Sequence, residues 1–388
     1  MSMRRATRFR MGRAPRTAAL FGVVLFLGAC TAANPSVTPT PSPTRDPTAL
    51  NVTALLDLSG PRTPNGSSQR DALQLWADQH SAATPRVKLK VVDVAGSPSK
   101  TALELRRAAV DDRADAIVVG VAIDYDDAFE NIVQLAHVPV LFTLPIREPA
   151  TRDGGWAFAL APTPARLARA ILDDAALRSV LGSSVVVSDE STTAIVERIA
   201  LVSELARRGV KANVIAVTAS DASQKLRPLL AATSIVVLAG TPRSYVEAAR
   251  TVTAGTTLYL SYLCELADIA ELRDAATLAV WPGSRWITAT AAAAGGSTSA
   301  RSVFIQTYSD RAGPPSTVAA SAFDSLALLS SAAENGIDPT KMRDRLESGS
   351  YAGVATSYTF RPSQHAGFNS GALALLRYLA PKVPPEVR

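Results

Sequence analysis

The chain has 388 residues, long for one domain and comfortable for two, and with 47% hydrophobic and 19% charged residues it can fill sizeable cores. Its formal charge of +6 is local: residues 1–29 hold six arginines (Arg4, Arg5, Arg8, Arg10, Arg13, Arg16) and no acid, which is the whole excess of 40 bases over 34 acids. The remainder is formally neutral, so the basic balance belongs to a targeting segment and argues against nucleic acid as a partner.

The arginines precede an apolar run of 12 residues, Ala18 to Ala29. That is too short to span a bilayer as a helix and suits a signal-peptide core. The run ends in Leu27-Gly28-Ala29-Cys30, which resembles a bacterial lipobox. The resemblance implies that residues 1–29 are removed and that Cys30 is lipidated and becomes the new N-terminus. The alternative is an ordinary cleaved signal with a chance cysteine. A lipid chain holds through about 0.8 kcal/mol per buried methylene. Residues 30–49 are rich in Pro, Thr and Ser and nearly free of large apolar side chains, so they are expected to stay extended as a tether. The expected location is the cell envelope, on the outer face of the cytoplasmic membrane. Cys30 and Cys264 are the only cysteines. With Cys30 lipidated no intramolecular disulfide forms, and Cys264 reads as a small buried hydrophobe.

From Asn51 strands alternate with amphipathic helices. NVTALLDLSG (51–60) is an apolar run closed by Ser-Gly-Pro, and a helix is predicted over 67–83 with Leu73 and Trp76 on one face. VKLKVVD (87–93) is a strand. Ser97-Pro98 opens a helix, with Ser as the cap and Pro in the first turn. AIVVGV (116–121) and VPVLFT (138–143) are further strands, with a helix between them. A second set follows Ala161-Pro162: helices at 164–178, 191–208, 223–231 and 243–254, and strands at 184–188, 212–217, 234–240 and 257–262. TLAVW (277–281) is a strand. A helix at 316–334 stops at Asn335-Gly336, Asp338-Pro339 opens another, and VATSYTF (354–360) is a late strand. Fully apolar strands alternating with helices imply parallel sheets covered on both faces. The fold class is therefore α/β, with two doubly wound lobes.

The order of elements, together with LLDLSGP (55–61), VVDVAGSPSKTALELRRAAVDDRADAIVVG (91–120), SAFDSLALLSSAAENGIDPTKMRDRLES (321–348) and SYTFRPSQHAGF (357–368), resembles the branched-chain amino-acid-binding proteins, type I periplasmic binding proteins. The resemblance implies a Venus flytrap: two lobes joined by a three-crossing hinge, with a ligand between them. It places residues 50–161 plus 262–354 in the N-terminal lobe and 162–261 plus 355–380 in the C-terminal lobe. The crossings are expected near Leu160–Pro162, Leu260–Leu263 and Gly353–Thr356.

Four loops are expected to line the cleft, because open α/β sheets bind ligands beyond the carboxyl ends of their strands. The first contains Ser59 and Asn65; Asn65 stands where relatives often place an aromatic, and a plain Gly-Pro turn is the alternative. The second contains Asp124, where the family's amino-acid binders carry a serine for the ligand carboxylate. Asp124, Asp126 and Asp127 equally suit the cap of the next helix. The third contains Arg147 in place of a threonine. Its planar donors suit an anionic ligand group or a pair with Asp124, and plain exposure is as good a reading. The fourth set is Thr241, Ser261 and Tyr262, with core packing as the alternative for Tyr262. The acid expected near Ser261 to neutralise an ammonium is missing there, and Glu265 lies four residues on. The scaffold matches while the α-amino-acid signature does not, so the ligand is expected not to be a free amino acid held in the usual way.

No nucleophile elbow, Walker A loop, Gly-rich dinucleotide turn or His-Glu-x-x-His pair occurs, and His80, His137 and His365 have no partner nearby in sequence. Catalysis is not expected, nor a cofactor or a metal. The expected role is the solute-binding lipoprotein of an ABC importer: a monomer that captures a small polar ligand and delivers it to a membrane permease. A ligand sensor, or a degenerate envelope interaction lipoprotein with the same fold, is the alternative.

Overall fold

A computed structural model describes residues 46, 48–151, 154–178, 181–218, 220–230, 233, 235–240, 248, 250–252, 256–265, 278–294, 299–377, 379 and 383–388. Cys30, nearly all of the expected tether and Thr241 lie outside the described residues.

Five parallel strands make the first sheet: β1 (Ala49–Leu56), β2 (Arg86–Asp93), β3 (Ala116–Gly120), β4 (Val140–Phe142) and β5 (Ala157–Ala159), in the order β2-β1-β3-β4-β5. Every residue of β3 is buried, as a strand covered on both faces requires. The pleat then sorts side chains between two cores. Val52, Ala54, Leu56, Ala116 and Val118 join the core under α1 (Thr63–Gln79). Leu55, Ile117 and Val119 join the opposite core, with Leu105 of α2 (Pro98–Val110) and Phe129 of α3 (Asp127–Ala136).

Seven strands make the second sheet: β6 (Ser184–Ser188), β7 (Asn213–Ala216), β8 (Ile235–Ala239), β9 (Thr257–Tyr259), β10 (Leu278–Ser284), β13 (Leu373–Arg377) and β14 (Glu386–Val387). Their order is β14-β13-β10-β9-β8-β6-β7, parallel from β7 to β10 and antiparallel at β13 and β14. Val186 and Val237 pack with Ile171 and Leu172 of α4 (Pro164–Leu177) and Leu201 of α5 (Thr192–Arg207). Val185, Val187 and Val236 pack on the other face with Leu226 of α6 (Ala222–Leu230). Cys264 belongs to this second core and is buried.

The remaining α-helices among the described residues are α7 (Ala289–Ala294), α8 (Ala300–Ala312), α9 (Thr317–Ala333) and α10 (Pro339–Leu346). In α9 the residues from Thr317 to Leu329 are all buried, and Leu326 and Leu329 share the core that holds Leu73 and Trp76 of α1. β11 (Ser350–Ala352) and β12 (Ser357–Thr359) form a small antiparallel pair. Among the described residues, no helix is long and apolar enough to cross a membrane.

The chain leaves the first sheet after β5 and enters the second lobe at α4. The other two crossings differ from the sequence reading. β10 lies in the range 262–354 assigned to the first lobe, yet it is a central strand of the second sheet, between β9 and β13. The chain returns to the first lobe only after Ser284. Residues 355–368, assigned to the second lobe, stay in the first: Ala355, Tyr358, Phe360 and Phe368 fill its core. Ala366 bridges Ala159 of β5 in parallel. The third crossing thus falls between Phe368 and β13. The short apolar strand at 278 needs hydrogen-bond partners on both sides, which only the second sheet supplies.

Each sheet reverses strand order once among its parallel strands: at β1/β3 in the first and at β6/β8 in the second. A crevice opens at such a point beyond the strand ends.

Candidate functional site

The loop after β1 is shaped by Asp57, which is buried at 2% exposure. Its carboxylate accepts the backbone N–H groups of Gly60 at 2.6 Å and Arg62 at 2.8 Å. Burial raises the Asp57 carboxyl above its ordinary range. Helix α1 is seated on this turn through Gly66, where a Cβ would fall 1.8 Å from the Asp57 carbonyl oxygen.

The loop reaches across to the second lobe at two points. Arg62, only 4% exposed, donates through Nη2 to the Gly240 carbonyl at the end of β8. Asn65, 1% exposed, donates through Nδ2 to the Leu263 carbonyl and to Glu265 Oε1, both at 2.8 Å. Two further first-lobe donors converge on the same Glu265 oxygen, Ser68 Oγ at 2.9 Å and Ser316 Oγ at 3.0 Å. The second lobe meets Arg62 with acids. Asp189 directly follows β6 and lies under Gly240, where a Cβ would fall 2.8 Å from its Oδ2. Glu197 of α5 accepts the Ser261 hydroxyl. Burial pushes its carboxyl up to about 7; Ser261 and the Arg62 guanidinium pull it down and Asp189 raises it.

Beside these contacts both lobes contribute to a pocket of about 440 Å³. The first lobe supplies Ile123, Asp124, Tyr125, Ile146, Arg147 and Glu148; the second supplies Thr163–Ala165 at the start of α4 and Val196, Ile199, Ala200 and Ser203 from α5. Apolar and charged or polar side chains both line it, the usual make-up of a small-molecule site. Tyr125 is 2% exposed, edge-on to Phe142 at 5.1 Å between ring centroids.

Residues 49–378 match the model of a family described as periplasmic binding protein. The chain belongs to the periplasmic binding protein family. Solved structures with the same fold include an extracellular ligand-binding receptor from Rhodopseudomonas palustris (17% identity, TM-score 0.70, 86% of this chain and 98% of that one). A leucine-binding protein from Thermotoga maritima is 14% identical, with a TM-score of 0.70 over 87% of this chain and 97% of that one. The solute-binding protein of an ABC transporter from R. palustris, solved with benzoate, is 16% identical, with a TM-score of 0.68 over 88% of this chain and 98% of that one. No curated protein sequence matches.

Within this type I periplasmic binding protein the candidate residues separate into three places. Asp124 and Arg147 line the pocket. They do not pair with each other: Arg147 Nη2 binds Asp127 Oδ1 at 2.6 Å and Glu130 Oε2 at 3.4 Å, and its Nε donates to the Tyr125 carbonyl. Asp126 caps α3 by accepting the Phe129 N–H at 2.8 Å. Asn65 and Ser261 lie at the lobe contact, both buried. Ser59 faces away from it and donates to Asp93 Oδ2 at 2.5 Å. Tyr262 packs in a small core shared by the lobes, with Leu144, Ala161 and Val318 on one side and Leu167 on the other. Glu265 is present at the contact, holding first-lobe side chains.

Arg62, Asp189 and Glu197 were not singled out from the sequence. Arg62 had a signal: it is the one charge in LSGPRTPNGSSQ. Glu197 had none, since it sits mid-helix among alternating apolar and polar residues. His365 is fully buried and stacked on Phe158 at 4.2 Å between ring centroids. Its Nδ1 lies 2.8 Å from the Ala157 carbonyl and its Nε2 3.0 Å from Glu347 Oε1. Among the described residues, no group of three or more His, Cys, Asp or Glu could hold a metal ion.

Proposed function

We propose that the protein is an extracytoplasmic solute receptor, anchored by lipid at Cys30. It takes a small organic solute into the pocket between its lobes and delivers it to an ABC permease. The observation that carries this reading is the pocket of about 440 Å³ built jointly by the loops after β3 and β4 and by helices α4 and α5. A site shared by two lobes is one that hinge closure can complete. Ile123, Ile146, Val196 and Ile199 suit an apolar body, and Asp124, Arg147 and Ser203 suit a polar end. The family's benzoate-bound and leucine-binding members support a solute of this size. A free α-amino acid fits poorly, because Asp124 replaces the family's carboxylate-binding serine and Glu265 is held by first-lobe donors.

The test is a thermal-shift screen with aromatic and branched carboxylates, amines, sugars and the twenty amino acids. A solute at 100 times its Kd adds about 2.7 kcal/mol to stability. Ala200→Trp, which fills the pocket, is expected to abolish the shift while leaving solute-free melting nearly unchanged. A shift that survives Ala200→Trp refutes the pocket, and leucine or valine binding at micromolar Kd refutes the exclusion of amino acids. One observation favours a second reading: Arg62 and Asn65 already occupy the crevice between the switch points. On that reading the fold serves sensing or envelope interactions without a transported solute, and a screen with no hits supports it.

A further inference from the structure

We propose that Arg62 is a tethered occupant of the cleft: its guanidinium takes the acidic subsite of the second lobe and holds the lobes together with no solute present. The loop that carries it comes from the switch point of the first sheet, and its acceptor lies at the switch point of the second. These are the two edges between which an open α/β pair holds a ligand.

The side chain is delivered by a braced backbone. The Arg62 N–H is bound by Asp57 Oδ2 at 2.8 Å, and Gly66 locks α1 against the Asp57 backbone. The backbone is therefore set before the guanidinium docks, and the ordering cost is confined to the side chain's own rotamers. At the far side it finds the Gly240 carbonyl and the charges of Asp189 and Glu197. A planar, permanently charged fork suits a carbonyl set beside carboxylates. Without Arg62 these two acids would face each other in a partly dehydrated crevice, where like charges repel strongly. Burial pushes the Glu197 carboxyl up to about 7, and the Arg62 guanidinium pulls it back down.

Two consequences follow. The solute-free protein rests closed, and a solute bearing an ammonium or guanidinium group meets an acidic subsite that is already taken. This inference concerns the protein without solute and does not depend on what enters the pocket.

Spin labels at Arg106→Cys and Lys211→Cys, exposed on the first and second lobes, report the interlobe distance in the full chain in detergent. Buried Cys264 stays unlabelled. The labelled protein is expected to show one short distance without solute. Arg62→Ala should lose that peak and move to longer distance, and millimolar methylguanidinium should restore it. Asp189→Asn with Glu197→Gln approaches the same contact from the other lobe; it should open as well and should not respond to methylguanidinium. An Arg62→Ala distance equal to that of the parent overturns the proposal, as does an opening that methylguanidinium leaves unchanged. If Arg62→Ala does not fold, an unchanged short distance in the acid variant overturns it alone.

Discussion

Asp324 shows what a single buried acid does in this fold. It sits inside α9 at 1% exposure, accepting the N–H groups of Val354 at 2.7 Å and Ala355 at 2.9 Å and the Tyr358 hydroxyl at 3.0 Å. Burial outweighs these donors and pushes its carboxyl up to about 7 from an ordinary 3.8. A carboxyl raised on folding releases its proton first in the unfolded chain. Its contribution is therefore complete below pH about 4 and lost as the pH rises towards about 7. Asp324→Asn should cost stability, and urea titrations should show that cost shrinking between pH 4.5 and 7. A cost independent of pH would mean that Asp324 is ionised in the fold. The residue was legible as a charge within an apolar helix, SAFDSLALL. The partners of Arg62 and Glu197 were not, because a helix pattern shows which face is polar and does not show what that face meets.

At the scale of elements, local chemistry was the best guide. Ser97 accepts the Lys100 N–H at 3.2 Å and Asp338 accepts the Lys341 N–H at 2.9 Å, the caps expected of Ser-Pro and Asp-Pro starts. Strands β3, β6 and β8 fall where apolar runs were read. Helix α1 begins four residues earlier than expected, at Thr63, because Asn65-Gly66 is not a turn. Glycine is there for the close approach to Asp57, and Gly66→Ala should destabilise by about 2–3 kcal/mol through overpacking, read as a lower urea midpoint. Leu73→Ala, in the fully buried face of the same helix, should cost about 3 kcal/mol through the cavity it leaves. If Gly66→Ala is neutral, the seat of α1 on the loop is looser than the contact implies. The sheet that β10 joins could not be read, since an all-apolar parallel strand names no neighbour.

Among the described residues, the two large sheets are stitched by three crossings and by the segment Ser261–Glu265, which reaches the first lobe without joining it. That excursion lies where the family resemblance implied a crossing, and the Glu265 carboxylate meets Asn65, Ser68 and Ser316. Glu265→Ala removes one carboxylate from three donors and should cost about 3 kcal/mol. Calorimetry should then show the lobes melting less cooperatively, whereas an unchanged single transition would assign their coupling to the shared core around Tyr262 instead. The Ser284 side chain marks the second crossing, donating to the Ala355 carbonyl, while its N–H is bound by Thr317 Oγ1 at 2.9 Å.

The Arg62 contact ends on a main-chain oxygen, and that has a consequence for how its history would be traced. No point substitution at position 240 deletes a carbonyl, so the receiving residue need not change in step with the donor. Paired variation between alignment columns would pass over the contact entirely. What constrains position 240 is room: a methyl there would meet Asp189 Oδ2 at 2.8 Å. In an evolving lineage the mark of such a self-closing receptor would be a lone arginine opposite an unchanging glycine, not a matched couple of opposite charges.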